Sequence, residues 1–186
     1  MINGCIRGDT RMQQAFYYHF YPMLMRICIR YAPNREDAEQ WVQDSFLKLF
    51  RNLDKYEAWG SFEGWIKSIV TRVCLDHIRR SNTTAFEADK HTVTTDKIEL
   101  LADDIPVRNE ALQKYSGEAV LQLLKKLPEK QRVVLNLYVY EAYSHKEIAE
   151  MLRISENYSH WLLHQAKKTL AAIINTSHPK SVSHEQ

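Results

Sequence analysis

Helical periodicity holds along most of this chain and fails once, between Ser81 and about Asn109. That interruption does more than any other feature to limit what the chain can fold into. Over it, Thr83, Thr84, Thr92, Thr94, Thr95, Asp103, Asp104 and Pro106 replace the spaced apolar residues found elsewhere, and only Ile98, Leu100 and Leu101 could dock on a folded surface. A structureless stretch of this length exceeds the usual connection inside a compact domain. It reads as a linker, 83–112, between two domains, 1–82 and 113–175, with a polar tail at 176–186.

Both flanking blocks carry helical patterns. Glycine and proline number five each in 186 residues, which argues against a turn-rich β-sandwich or barrel and for long helices. The first helix is expected from Thr10, capped by Asp9 or Thr10, with Phe16, Phe20, Met23, Leu24, Ile27 and Tyr31 on one side and a kink at Pro22. A second helix, 34–52, is capped by Asn34 and favoured by Glu36 and Asp37 in its first turn. It has an apolar stripe (Ala38, Val42, Ser45, Leu49) and a polar one (Asp37, Gln40, Asp44, Lys48). After a loop through Tyr56 and Trp59, Ser61 caps a third helix to about Arg80. Phe62, Trp65, Ile66, Ile69, Val70, Val73 and Ile78 form its buried side.

In the second block, helical pattern resumes near Glu110, and Pro128 opens a further helix in its favoured first-turn position. Ser144-His145-Lys146-Glu147 is a capping box starting a short helix to about Leu152, and Ser155 caps a last helix to about Ile174. The expected architecture is all-α: a helical bundle and a four-helix helix-turn-helix domain joined by a flexible linker.

Charge follows the same division. The net formal charge is +2, but residues 1–82 carry +3, residues 83–115 carry −3 and residues 116–175 carry +2. Two mildly basic blocks flank an acidic middle, which permits a nucleic-acid partner without demanding one. Cys5, Cys28 and Cys74 are odd in number and lack any C-x-x-C spacing, so free thiols are expected rather than disulfides or zinc. No apolar run approaches the roughly 20 residues of a membrane span, and the N-terminus lacks a signal-peptide core. The expected location is the cytoplasm, without membrane insertion. There is no Gly-rich phosphate loop, metal-ligand cluster or recognisable nucleophile–base pair, so neither a cofactor nor an enzyme is expected.

Three constellations suggest binding. The capped pair 144–152 and 155–174, with small Ala149 at the crossing, fits a helix-turn-helix whose second helix enters a DNA major groove; an ordinary αα-hairpin gives the same spacing. On the third helix and its loop, Lys67, Arg72, Arg79 and Arg80 can meet phosphates while Tyr56, Trp59 and His77 offer rings, a mixture suited to single-stranded nucleic acid. Asp76 could instead tie Arg72 and Arg79 into intrahelical ion pairs. The polar stripe of helix 34–52, with Gln43, is either a protein-docking face or a solvated surface.

The run Arg35-Glu36-Asp37-Ala38-Glu39-Gln40-Trp41-Val42-Gln43-Asp44-Ser45-Phe46-Leu47-Lys48-Leu49-Phe50, then Gly60-Ser61-Phe62-Glu63-Gly64-Trp65-Ile66 and Leu75-Asp76-His77-Ile78-Arg79-Arg80, resembles region 2 of ECF (extracytoplasmic function) sigma factors. Leu127 through Val134, Ser144 through Ala149 and Ile154-Ser155-Glu156 resemble region 4. The two matches lie in the right order and cover roughly three quarters of the chain. The resemblance implies a bacterial sigma factor that directs core RNA polymerase to promoters and assists melting.

Residue by residue, it implies that Asp37, Gln40, Gln43 and Asp44 dock on the clamp helices of the polymerase's largest subunit. Tyr56, Trp59, Lys67, Arg72, His77, Arg79 and Arg80 would serve the −10 element. Lys146, Arg153, Asn157, His160, Trp161, His164, Gln165, Lys167 and Lys168 would serve the −35 element. The linker would thread towards the RNA exit path, and an anti-sigma factor holding the chain inactive is a common arrangement in the family. The last helix departs from the family pattern: the usual Gly is Arg153, and the usual arginines are Leu162 and Gln165. Arg72 stands where Asn is frequent. Two other readings therefore remain, a stand-alone helix-turn-helix regulator and a polymerase-binding adaptor that has lost −35 reading.

Overall fold

A computed structural model describes residues 1–57, 60–81 and 117–177. The chain divides into two compact units, Met1–Thr84 and Ala85–Gln186. Every regular element among the described residues is helical. The linker expected at 83–112, the helix start expected near Glu110 and most of the polar tail lie outside the described residues.

The first unit holds α1 (Ile2–Ile6), α2 (Thr10–Tyr31), α3 (Arg35–Phe50) and α4 (Phe62–Ser81), with a single 3₁₀ turn at Leu53–Lys55. Caps set the boundaries. The Asp9 carboxylate accepts from the Arg11 and Met12 amides, Asn34 Oδ1 from the Asp37 amide at 2.8 Å, and Ser61 Oγ from the Gly64 amide at 3.0 Å. α2 runs through Pro22 as one helix, with Pro22 on its exposed side and Phe16, Phe20, Leu24 and Ile27 buried on the other. The short α1 was not expected from the sequence. It presses on α2 so closely that a Cβ on Gly4 would lie 2.5 Å from Met12 Cγ.

The core of this unit is aromatic. Fully buried Phe16 meets Phe20, Phe46, Phe50 and Phe62 at centroid distances of 4.6, 6.4, 5.5 and 6.1 Å, in tilted and edge-on geometries that ring quadrupoles favour. Ala38, Val42, Ser45 and Leu49 of α3 are buried, as their spacing requires. Phe62 and Trp65, expected in the buried side of α4, are only half-buried. The three cysteines are free and buried, and the Sγ atoms of Cys28 and Cys74 approach to 3.8 Å.

The second unit holds α5 (Gly117–Lys125), α6 (Glu129–Leu135), a π-helical turn at Asn136–Tyr140, α7 (His145–Leu152) and α8 (Glu156–Ser177). Pro128 caps α6 rather than opening it: at ψ 141° it is still extended, and Glu129 is the first helical residue. Leu124, Leu127, Val133, Val134, Leu137, Ile148, Leu152, Leu162, Leu163 and Leu170 make a separate apolar core. Thr169 Oγ1 donates to Gln131 Oε1 at 3.1 Å, joining α8 to α6.

Candidate docking and nucleic-acid faces

Along α3, at about 100° per residue, Asp37, Gln40, Gln43 and Asp44 fall within roughly 120° of one another, on one face. Gln40 and Gln43 are exposed and make no side-chain hydrogen bond among the described residues. Leu47, on the same face, is 54% exposed. The outer two residues are already engaged. Asp37 Oδ2 accepts from Asn34 Nδ2 at 2.9 Å, and Asp44 Oδ2 lies 2.9 Å from His77 Nε2 on α4.

That last contact relocates His77. The sequence offered it as a free ring for DNA. Instead its side chain is 18% exposed, held by Asp44 and stacked on Trp41 at 4.9 Å with planes 11° apart. It belongs to the seam between α3 and α4. Contact across 33 residues of chain has no signature in local spacing.

Asp76 also works across the seam. It receives Lys48 Nζ at 3.3 Å from α3 and Arg79 Nη1 at 3.4 Å from its own helix. The intrahelical pair with Arg79 forms, whereas Arg72 is exposed and makes no ion pair among the described residues. These pairs are partly solvated, worth about 0–1 kcal/mol each, so they orient side chains more than they stabilise the fold. Between the helices lies a groove of about 440 Å³ lined by Asp44, Lys48, Arg51, Asp76, His77 and Arg80. Arg51, just past the end of α3, joins Arg80 here; only the packing of the two helices reveals it.

The remaining cations of α4 do not form one patch. Arg72 and Arg79, seven residues apart, share a face, with Arg80 next to it. Lys67, five residues before Arg72, sits about 140° round the helix. Near the start of α4, Tyr56 donates its hydroxyl to the Gly60 carbonyl at 3.1 Å and rests against Phe62 (4.9 Å) and Trp65 (5.4 Å). Gly60 turns the chain there at φ +83°. Trp59 lies outside the described residues. Trp65 stacks on Phe62 with planes 18° apart, so one of its faces is spoken for.

In the second unit the helix-turn-helix forms as spaced. Ser144 and Glu147 make a reciprocal capping box, Arg153 closes α7 in the left-handed region at φ 56° and ψ 43°, and Ser155 Oγ accepts from the Tyr158 amide at 3.1 Å to start α8. α8 is two-sided. Tyr158, Ser159, Leu162, Leu163, Ala166 and Leu170 are buried. Asn157, His160 and Lys168 are exposed, and Trp161, His164, Gln165 and Lys167 are half-buried. Lys146 and Arg153 are exposed on the preceding helix and turn. Trp161 lies against Tyr158 at 5.5 Å with planes 15° apart. Leu162 is 2% exposed. It is core, so the absence of a cation there takes nothing from the outer face.

His145 is the residue that sequence reading left out. It is the first residue of α7, is 8% exposed, and shares a hydrogen bond between Nδ1 and Ser159 Oγ at 2.9 Å. Tyr138 stacks at 4.6 Å and His160 at 3.7 Å. Burial, reinforced by His160 and Lys167, pushes its pKa down to about 4. Its position inside a capping box reads as surface, which is why periodicity passes over it.

Among the described residues no group of three or more His, Cys, Asp or Glu is placed to hold a metal, and no helix is long and apolar enough to cross a membrane.

These two helical units match known families in chain order. Residues 16–84 match Sigma-70 region 2 and residues 117–170 match Sigma-70, region 4. The ECF RNA polymerase sigma factor SigW of Bacillus subtilis is 24% identical over 151 residues, covering 79% of this chain and 80% of that protein. SigE of Mycolicibacterium smegmatis is 28% identical over 145 residues, 78% of this chain and 54% of that protein. Among solved structures, the sigma factor RpoE from Bartonella quintana, in complex with the anti-sigma factor NepR, aligns with a TM-score of 0.55 at 15% identity, over 89% of this chain and 98% of that one. CnrH, in complex with the cytosolic domain of CnrY, aligns at 0.51 and 18% identity, over 95% and 96%. Region 2 and region 4, in this order along one chain, together with ECF sigma factors as its relatives, place the protein in the ECF family of RNA polymerase sigma factors.

Proposed function

We propose a division of labour between the two units of this sigma factor. The chain directs RNA polymerase to promoters. The finer reading is that α3 docks on the clamp helices of the polymerase's largest subunit through Asp37, Gln40, Gln43 and Asp44. What supports it most is the pair Gln40 and Gln43. Both are exposed and make no side-chain hydrogen bond among the described residues, and they lie beside the exposed apolar side chain of Leu47. Polar groups with unused hydrogen-bonding capacity around an apolar centre suit a protein interface.

The loop 53–61 and α4 then take the −10 element. Arg72, Arg79 and Arg80 hold phosphates, and Tyr56, with Trp59, supplies rings for an unstacked base. Flipping a base costs a few kcal/mol, which stacking worth about 1–3 kcal/mol per base offsets in large part. Lys67, on another side of the helix, contributes a separate phosphate contact. His77 acts through Asp44, by holding that carboxylate on the docking side, and does not touch DNA. α8 reads the −35 element as duplex, with Asn157, His160, His164 and Gln165 at base edges and Trp161 beside them. Lys146, Arg153, Lys167 and Lys168 reach the backbone. Since RpoE of Bartonella quintana is held by an anti-sigma factor, a protein of that kind is the proposed regulatory partner here.

The test is reconstitution with core polymerase and mapping of transcript starts on genomic DNA, repeated with Asp44→Arg. Defined starts that fall at least tenfold with Asp44→Arg are expected. Initiation unchanged by that substitution would remove the docking assignment. Polymerase binding without any initiation would favour the adaptor reading, to which the scarcity of cations on α8 lends weight.

A further inference from the structure

His160 is exposed on the outer side of α8, yet its ring is not free. One face lies on His145 at a centroid distance of 3.7 Å with planes 28° apart. His145 in turn lies on Tyr138 at 4.6 Å with planes 25° apart. The middle ring of this stack is locked from the side, because its Nδ1 shares a 2.9 Å hydrogen bond with Ser159 Oγ, and Ser159 is fully buried. The stack therefore runs from a buried anchor on α7 to an outward-facing ring on α8.

Stacking uses the face of an imidazole and leaves its edge, where both ring nitrogens lie. On His160 the nearest acid, Glu156 Oε1, is 4.0 Å from Nε2, beyond hydrogen-bonding distance. The ring plane is therefore held against His145, and its edge makes no hydrogen bond among the described residues. A side chain fixed before binding loses less freedom on binding than a mobile one. The acceptors such an edge can meet in the major groove are N7 and O6 of guanine, N7 of adenine and O4 of thymine. Burial, together with His160 and Lys167, keeps His145 neutral at physiological pH, so the inner ring of the stack carries no charge. Tyr138, His160 and Lys167 are the titratable groups facing it from the π-helical turn and α8.

We propose that His145 is a positioning residue for promoter reading: without reaching DNA itself, it fixes the imidazole of His160, and so sets base preference at the −35 position that His160 contacts. This rests on the reading of α8 as the −35 helix.

The experiment uses the full chain with core polymerase and selects initiating promoters from a library randomised through the −35 element. The variants are His160→Ala, His145→Leu, His145→Phe, the double variant His145→Leu/His160→Ala, and Asn157→Ala with Gln165→Ala as independent probes of α8. Leu and Phe both fill the buried site, but only Phe keeps a ring under His160. Thermal unfolding of each variant reports on folding. His160→Ala is expected to flatten preference at one position about tenfold. His145→Leu should flatten the same position, His145→Phe should retain it, and the double variant should match His160→Ala. A profile unmoved by His145→Leu while His160→Ala moves it overturns the proposal alone. So does a double variant whose losses multiply, or a uniform loss across positions. A profile that no α8 variant moves removes the −35 reading, and the proposal with it.

Discussion

Arg153 stands in the left-handed region at φ 56°, where a side chain's Cβ crowds the backbone and glycine does not. Its guanidinium is exposed beside the turn of the helix-turn-helix, and the resemblance to region 4 puts glycine at this place. On the proposed reading, this strain accompanies a cation placed to meet the DNA backbone. Arg153→Gly is expected to raise the stability of the second unit by about 0.5–1 kcal/mol in chemical denaturation. The same variant should weaken promoter binding and reduce its salt slope by nearly one unit. Stability that rises without any change in DNA affinity would leave the strain with no functional counterpart. Leu162 carries the opposite lesson. By alignment it looks like a lost cation, but its burial makes it a core residue, and only the burial pattern of α8 separates the two meanings.

At the scale of elements, caps and apolar stripes make α2, α3, α4, α7 and α8 legible in the sequence, because each carries a side-chain N-cap and a buried face at helical spacing. α1 was not readable. Five residues hold too little apolar pattern, and its close packing through Gly4 against Met12 is a tertiary contact. The π-helical turn at Asn136–Tyr140 likewise has no signature in the spacing of its residues. The candidate faces divide in the same way. Gln40, Gln43, Arg72 and Arg79 follow from position on a helix. The Asp44–His77 and Lys48–Asp76 contacts and the His145 stack do not, because each joins residues from different helices.

The second unit also has a pH dependence whose sign is fixed. The folded state holds the His145 pKa near 4, below its ordinary 6.5, so the unfolded chain takes up the proton first. The contribution is complete above about pH 6.5 and is lost as pH falls towards 4. Relative to His145→Phe, wild type should lose melting temperature as pH falls from about 6.5 towards 4. Parallel curves across that window would show that the ring is not buried neutral.

At the scale of the whole molecule, a net charge of only +2 supplies little long-range attraction for nucleic acid. Four cations, Lys146, Arg153, Lys167 and Lys168, serve the second unit's outer face. Residues 110–186 by themselves should therefore bind duplex DNA weakly, with a log–log salt slope no steeper than about −3 to −4. Tight, salt-insensitive binding to random duplex would mean a different contact surface. On the proposed reading, polymerase holds both units at once, so that two weak recognitions act as one through effective concentration.

The proposed docking by the outer side of α3 is the step on which the rest of the reading depends, and Gln40 and Gln43 isolate it because both are exposed and make no side-chain hydrogen bond among the described residues. The direct measurement is the affinity of the full chain for core polymerase, for wild type and for Gln40→Arg/Gln43→Arg, with thermal unfolding in parallel. An affinity at least tenfold weaker at unchanged melting temperature is expected. Equal affinities would contradict the docking face and move the polymerase contact elsewhere on the chain.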